Sequence, residues 1–158
     1  MAFAHNAMLR GINSIYRQAA QVRSPTDIAD FLFFVRAWAE WVAHHHVLEE
    51  ERMFPGFEKA MGEPGFLDAN AEQHHSFQPA LQRLLACATD TNPGDYRAET
   101  LRAIIDEMAP ALRQHLSDEI PTLMSMKSYD GPALLRVYQE CAREAAKQDK
   151  VFSLWCTV

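Results

Sequence analysis

Cysteine is scarce in this chain and never close-spaced: Cys87, Cys141 and Cys156 are odd in number and far apart. Neither a disulfide framework nor a CxxC metal or redox motif is therefore expected. No apolar run approaches the ~20 residues that span a bilayer, and no repeat, low-complexity tract or strand-like alternation is present. Basic residues are also in deficit, with 15 Lys and Arg against 21 Asp and Glu and a net charge of −6. That balance argues against nucleic acid or an anionic membrane surface as the main partner. The N-terminus, Met1-Ala2-Phe3-Ala4-His5, lacks the basic-then-apolar layout of a secretory leader. A reducing, cytoplasmic setting is the expectation. At 158 residues, 48% of them hydrophobic, one domain over residues 1–158 is expected, with an ordinary core.

What is present is helical periodicity. A first helix is expected over residues 2–21, with His5, Met8, Ile12, Ile15 and Ala19 on one face. Ser24-Pro25-Thr26-Asp27 combines a capping serine, a proline suited to the first turn and an acidic partner three residues on, which predicts the start of a second helix. It should end or bend near Pro55-Gly56. A third helix is expected over 67–89, with Leu67, Ala71, His74, Phe77 or Gln78, Leu81 and Leu85 inward. A fourth follows Asn92-Pro93 and carries Leu101, Ile104, Met108, Leu112, His115 and Glu119 on one face. Pro79, Pro110 and Pro121 predict bends. Asp130-Gly131-Pro132 opens a fifth helix to about residue 147, before an apolar tail over 151–158. The architecture this predicts is all-α, an up-down-up-down four-helix bundle over about 2–127 with an additional C-terminal helix.

The chemistry lies in the histidines. All seven fall in four places, one on each bundle helix: His5, His44 to His46, His74 with His75, and His115. Val35, Trp38, Val42, His45, Glu49 and Met53 keep the 3, 4 spacing of a buried stripe. His45 and Glu49 are therefore read as ligands, and His44, His46, Glu50 and Glu51 as mostly solvated. His115 and Glu119 repeat the four-residue spacing on the fourth helix. Taken singly, His5 near a terminus reads as surface, His74 as a satisfied core histidine, and His115 with Glu119 as an ordinary helix pair. The same coincidence on four helices is improbable, and side chains converging on a bundle axis are how carboxylate-bridged dimetal sites are built. Nitrogen and carboxylate donors together suit iron, manganese or zinc.

The run His5-Asn6 to Arg10-Gly11, then Asn13, Ile15 and Tyr16, together with His45-x-x-x-Glu49-Glu50 leading to Phe54-Pro55, Glu72-Gln73-His74-His75-x-Phe77 and His115-Leu116-x-Asp118-Glu119, resembles the hemerythrin-like HHE cation-binding domains, of a fungal type. The resemblance implies a bundle enclosing two iron ions bridged by carboxylates and an oxo or hydroxo group. His5 and His45 would hold one iron, His74 and His115 the other, and Glu49 and Glu119 would bridge. Where oxygen carriers place a second histidine four residues along the third helix, this chain has Gln78, and its fourth-helix carboxylate follows its histidine by four residues rather than five. Water or Gln78 would then fill an open position, which favours oxidation of the iron over reversible oxygen carriage. Gln78, His75, His46 and Glu50 are candidates for additional or outer positions. Three functions follow as expectations, with enzyme activity left open. One is a diiron protein that binds or senses oxygen, nitric oxide or iron. The others are an oxidoreductase acting on peroxide or a small organic substrate, and a redox-silent zinc or iron buffer.

Overall fold

In the computed structural model, which describes residues 1–148, α1 spans Ala2–Gln18, α2 Pro25–Leu48, α3 Phe54–Met61, α4 Asp68–Asp90, α5 Ala98–Ser125 and α6 Gly131–Gln148. The apolar tail, with Cys156, lies outside the described residues. Ser24 caps α2 by accepting the Asp27 amide at 3.1 Å, with Pro25 in the first turn. Between α2 and α3 the chain passes through one π-helical turn, Glu49–Met53. Phe54 N–H closes it on the Glu49 carbonyl, and Pro55, which has no amide hydrogen for the carbonyl four residues back, follows directly. The expected end near Pro55 is therefore a change of helical pitch, and the helix resumes until Gly62 closes it in the left-handed conformation, φ 74°.

The four long helices alternate in direction, as the ends they bring together demonstrate. His5 near the start of α1 bonds the Leu116 carbonyl near the end of α5, at 3.0 Å. At the opposite end the Tyr96 hydroxyl, just before α5, donates to the Ala19 carbonyl just after α1, at 2.8 Å. The main core fills the bundle with Met8, Ile12, Val35, Trp38, Leu84 and Met108, among others. Gly11 is required here, since a Cβ would stand 2.5 Å from the Trp38 indole, whose Nε1 donates to the Met8 carbonyl at 3.2 Å. α4 and α5 run through Pro79, Pro110 and Pro121 as single helices. Each proline, and each residue four positions before it, is exposed, so water serves the carbonyls that lose a donor.

A second apolar cluster of Met53, Phe54, Phe57, Leu67 and Met126 closes the other end. α6 lies over it, contributing Leu134, Val137 and Cys141, and approaches α3 so closely that a Cβ on Gly56 would meet Val137 at 2.6 Å. Among the described residues no helix is long and apolar enough to cross a membrane.

Candidate metal centre

Alternating helix direction sets the height of the site. α1 and α4 reach it near their beginnings, through His5 and His74, and α2 and α5 near their ends, through His45 and His115. It forms a polar layer between the main core and the cap cluster. His5, His46, Glu49, His74, His115 and Glu119 are buried, Glu119 completely. Two groups of side chains can each hold an ion, their donor atoms lying within 4.8 Å of one another. One is His46, Glu49, His74 and His115; the other is His5, His45 and Glu49. Glu49 belongs to both.

The expectation that His46 is mostly solvated is overturned. His46 is 5% exposed, with its ring 4.5 Å from that of His74 and 5.1 Å from that of His115. The stripe from Val35 to Met53 is wider than a single row, because α2 packs against α1 and α4 together. Ala39, Val42, His46, Glu49 and Met53 form a second row with spacing equally regular, and all are buried. His45 remains at the layer, partly exposed, with Nε2 2.8 Å from Glu49 Oε1. Glu50 is one-third exposed, and its Oε1 accepts from His74 Nδ1 at 2.6 Å. His75 is exposed beside Glu72, at 3.3 Å. Gln78 is exposed, and the residue that α4 turns inward beside His74 is Phe77, 1% exposed and 4.9 Å from the His46 ring. Of the two alternatives for that turn, the structure selects Phe77.

Hydrogen bonds around the layer fix which ring nitrogens are available. The Leu116 carbonyl can only accept, so His5 Nδ1 carries a hydrogen and Nε2 is the nitrogen turned to the layer. Glu50 does the same for His74. For His115 the partner is Gln73, whose Oε1 lies 3.4 Å from Nδ1 while its Nε2 donates to Asp118 Oδ2 at 2.8 Å. His74 Nε2 and His115 Nε2 then face each other at 3.1 Å with both lone pairs inward. Burial pushes His115 down to about 3, with His74 adding to the fall, and burial lowers His74 despite the opposing bond to Glu50. A shared proton is thus disfavoured. Two nitrogens bound to one ion at ~2.1 Å sit roughly 3 Å apart, so a cation resolves the contact.

Both groups carry the same signature. His5 Nε2 approaches Glu119 Oε2 to 2.9 Å, and His45 Nε2 approaches Glu49 Oε1 to 2.8 Å, yet the angles make neither contact a hydrogen bond. Both nitrogens of His46 and both carboxylates of Glu49 and Glu119 are likewise buried without a hydrogen-bond partner. Left so, such atoms are costly. Burial drives His45 down to about 4 and His46 well below the ordinary histidine range, while burial and the neighbouring Glu119 raise Glu49 well above the carboxylate range. Imidazole nitrogens and carboxylate oxygens gathered within 4.8 Å of one another in each group are the kind of donor set a transition-metal ion requires. Sequence reasoning gave His46 only as a candidate for an additional or outer position, although the row through Ala39 and Val42 carried the signal for its burial.

Comparison with known proteins agrees with this geometry. The chain is 34% identical over 157 residues to "Dimeric xanthone biosynthesis cluster protein R11" from Cryptosporiopsis sp. (strain 8999), covering 98% of this chain and 60% of that relative's length. No solved structure matches. Residues 1–126 match the hemerythrin HHE cation binding domain, and the chain belongs to that family.

Proposed function

We propose that the chain holds two iron ions in the histidine layer and binds or senses a small molecule there, such as oxygen, nitric oxide or peroxide. The observation that carries the reading is Glu49, the carboxylate common to both donor groups, with Oε1 toward His45 at 2.8 Å and Oε2 toward His74 at 3.6 Å. A carboxylate so placed would be able to join two cations. His5 and His45 would serve one, His46, His74 and His115 the other, and Glu119, outside both groups but 2.9 Å from His5, would be a second acidic ligand. Iron bound to this set supplies a redox change and a position for a small ligand. The chain's own residues orient and insulate. Leu116, Glu50 and Gln73 hold three rings by their outer nitrogens, and the apolar clusters on either side exclude water.

A second reading, an oxidoreductase acting on peroxide or a small organic molecule, is favoured by a cleft of about 270 Å³ between α2 and α4 that reaches His46 and His74. The name of the fungal relative, a biosynthesis cluster protein, points the same way. Both readings require two irons, so metal analysis tests them first. Protein purified in air should carry about two iron per chain and absorb in the near-ultraviolet and visible. Glu49→Ala should lose both ions, and His75→Ala neither. One ion per chain, zinc in place of iron, or full metal content in Glu49→Ala would overturn the proposal.

A further inference from the structure

The cleft between α2 and α4 has two different ends. Its walls are apolar, with Val47, Phe77 and Leu81 prominent, and its rim carries Gln78. Its inner end is polar and connects to the metal layer through His46, Glu50 and His74. His46 lines this end, and both of its ring nitrogens are buried without a hydrogen-bond partner. Glu50 spends Oε1 on His74 Nδ1, at 2.6 Å, and as a carboxylate has a second oxygen able to accept another donor. Its side chain is one-third exposed, which allows a molecule in the cleft to reach it. A diatomic gas has no use for this volume, since about 270 Å³ is several times the share of one water molecule, ~30 Å³. It is also just below the roughly 300–1,000 Å³ of drug-sized ligand sites, so the occupant is small.

Resting on the oxidoreductase reading for the metals beside it, we propose that the cleft is a binding site for a small hydroxylated aromatic molecule of one or two rings, its ring against Phe77 and Leu81 and its hydroxyl donating to Glu50. Apolar walls favour the ring. The carboxylate selects for the hydroxyl, because a ligand without a donor strips water from Glu50 and returns nothing. A carboxylate-bearing ligand is disfavoured by repulsion from the same group. The site therefore distinguishes a phenol from the parent hydrocarbon and from its methyl ether, and it sets the hydroxyl beside His46 and His74.

The test is titration of the protein as purified with 2-naphthol, followed by the fluorescence of the probe, with naphthalene and 2-methoxynaphthalene as controls and iron content measured on every sample. Expected is saturable binding of one 2-naphthol per chain, at least about tenfold tighter than either control. Val47→Trp, which narrows the cleft from the exposed side of α2, should weaken 2-naphthol about tenfold or more without loss of iron. Glu50→Gln should remove most of the preference for naphthol over naphthalene. Equal binding of all three probes, or unchanged binding by Val47→Trp, would overturn the proposal. So would a full naphthol preference in Glu50→Gln. The iron measurement keeps the two readings apart. Naphthol binding with one ion or with zinc sinks the diiron reading alone, and two irons without naphthol binding sink the cleft alone.

Discussion

Along α1 the interior changes from Ile15 and Ile12 to His5 within three helical turns, and along α2 from Val35 and Trp38 to His46 and Glu49. The same four helices thus enclose two regions of opposite chemistry at nearly equal burial. In the apolar region every buried side chain is repaid by transfer from water and by packing, and the buried Trp38 indole donates to the Met8 carbonyl. In the histidine layer eight buried nitrogen and oxygen atoms have no hydrogen-bond partner. The first region supports itself. The second leaves buried polar atoms unpaired, and the apolar clusters on both sides supply the stability that allows it to exist.

Removing the metal should therefore expose the contrast most. Each orphaned buried polar group costs about 1–3 kcal/mol, and ~1 kcal/mol shifts the melting temperature of a chain this size by roughly 2–4 °C. Chelation should lower it by at least about 10 °C in thermal melts, and an unchanged melting temperature would place the site outside the cooperative core. The metal-free protein should also be acid-sensitive. His45, at about 4, and His115, at about 3, lie below the ~6.5 of an unfolded chain, and His46 and His74 are lowered too. As pH falls below ~6.5 the unfolded chain takes up these protons first, so stability present above that value is lost toward pH 4. Glu49, raised, works in the opposite sense, but one carboxyl opposes four imidazoles. Metal-free protein should melt lower at pH 5 than at pH 7, whereas a higher melting point at pH 5 would mean that carboxylate repulsion dominates the layer.

The apolar region is best broken at Gly11. A methyl group there collides with the Trp38 ring, 2.5 Å from the site of the Cβ, and overpacking of this kind costs about 1–3 kcal/mol. Gly11→Ala should lower the melting temperature by a few degrees to about 10 °C, by the same amount with metal present or absent, and leave metal content intact. A metal-dependent effect would show that the two regions are coupled through α1.

Much of this contrast was legible in the residues. Periodicity together with the cap and proline signals assigns the long helices, and the face through His5, Met8, Ile12, Ile15 and Ala19 is buried throughout. It could not choose among residues one step apart on a wide buried face. His45 and His46 are 100° apart on α2, and both belong to regular rows; packing of α4 against α2 brings His46 in, and that is tertiary information. Ile105 rather than Ile104 is buried on α5 for the same reason. The π turn was legible only as a disturbance near Pro55, because the sequence reports the missing donor and not how the chain answers it.

The smallest effect tests which side chain would supply a fifth nitrogen to the proposed metals. The sequence sets Gln78 where a further histidine would stand in an oxygen carrier, which makes Gln78→His a gain of a ligand. In the structure that space is taken from the other side, by the His46 ring at 4.5 Å from His74 and by Phe77 packed on it at 4.9 Å, while Gln78 is exposed at the rim of the cleft. An imidazole at position 78 would have to displace Phe77, 1% exposed, to approach the layer, and burial of that ring contributes more than a surface histidine returns. Gln78→His should therefore keep its metal stoichiometry and, after anaerobic reduction, oxidise in air within about twofold of the parent rate. His46→Gln, which keeps the volume and removes the imidazole, should lose metal from the His74 and His115 side. If Gln78→His instead slows oxidation severalfold at matched iron content while His46→Gln retains both ions, residue 78 and not His46 stands at the fifth position.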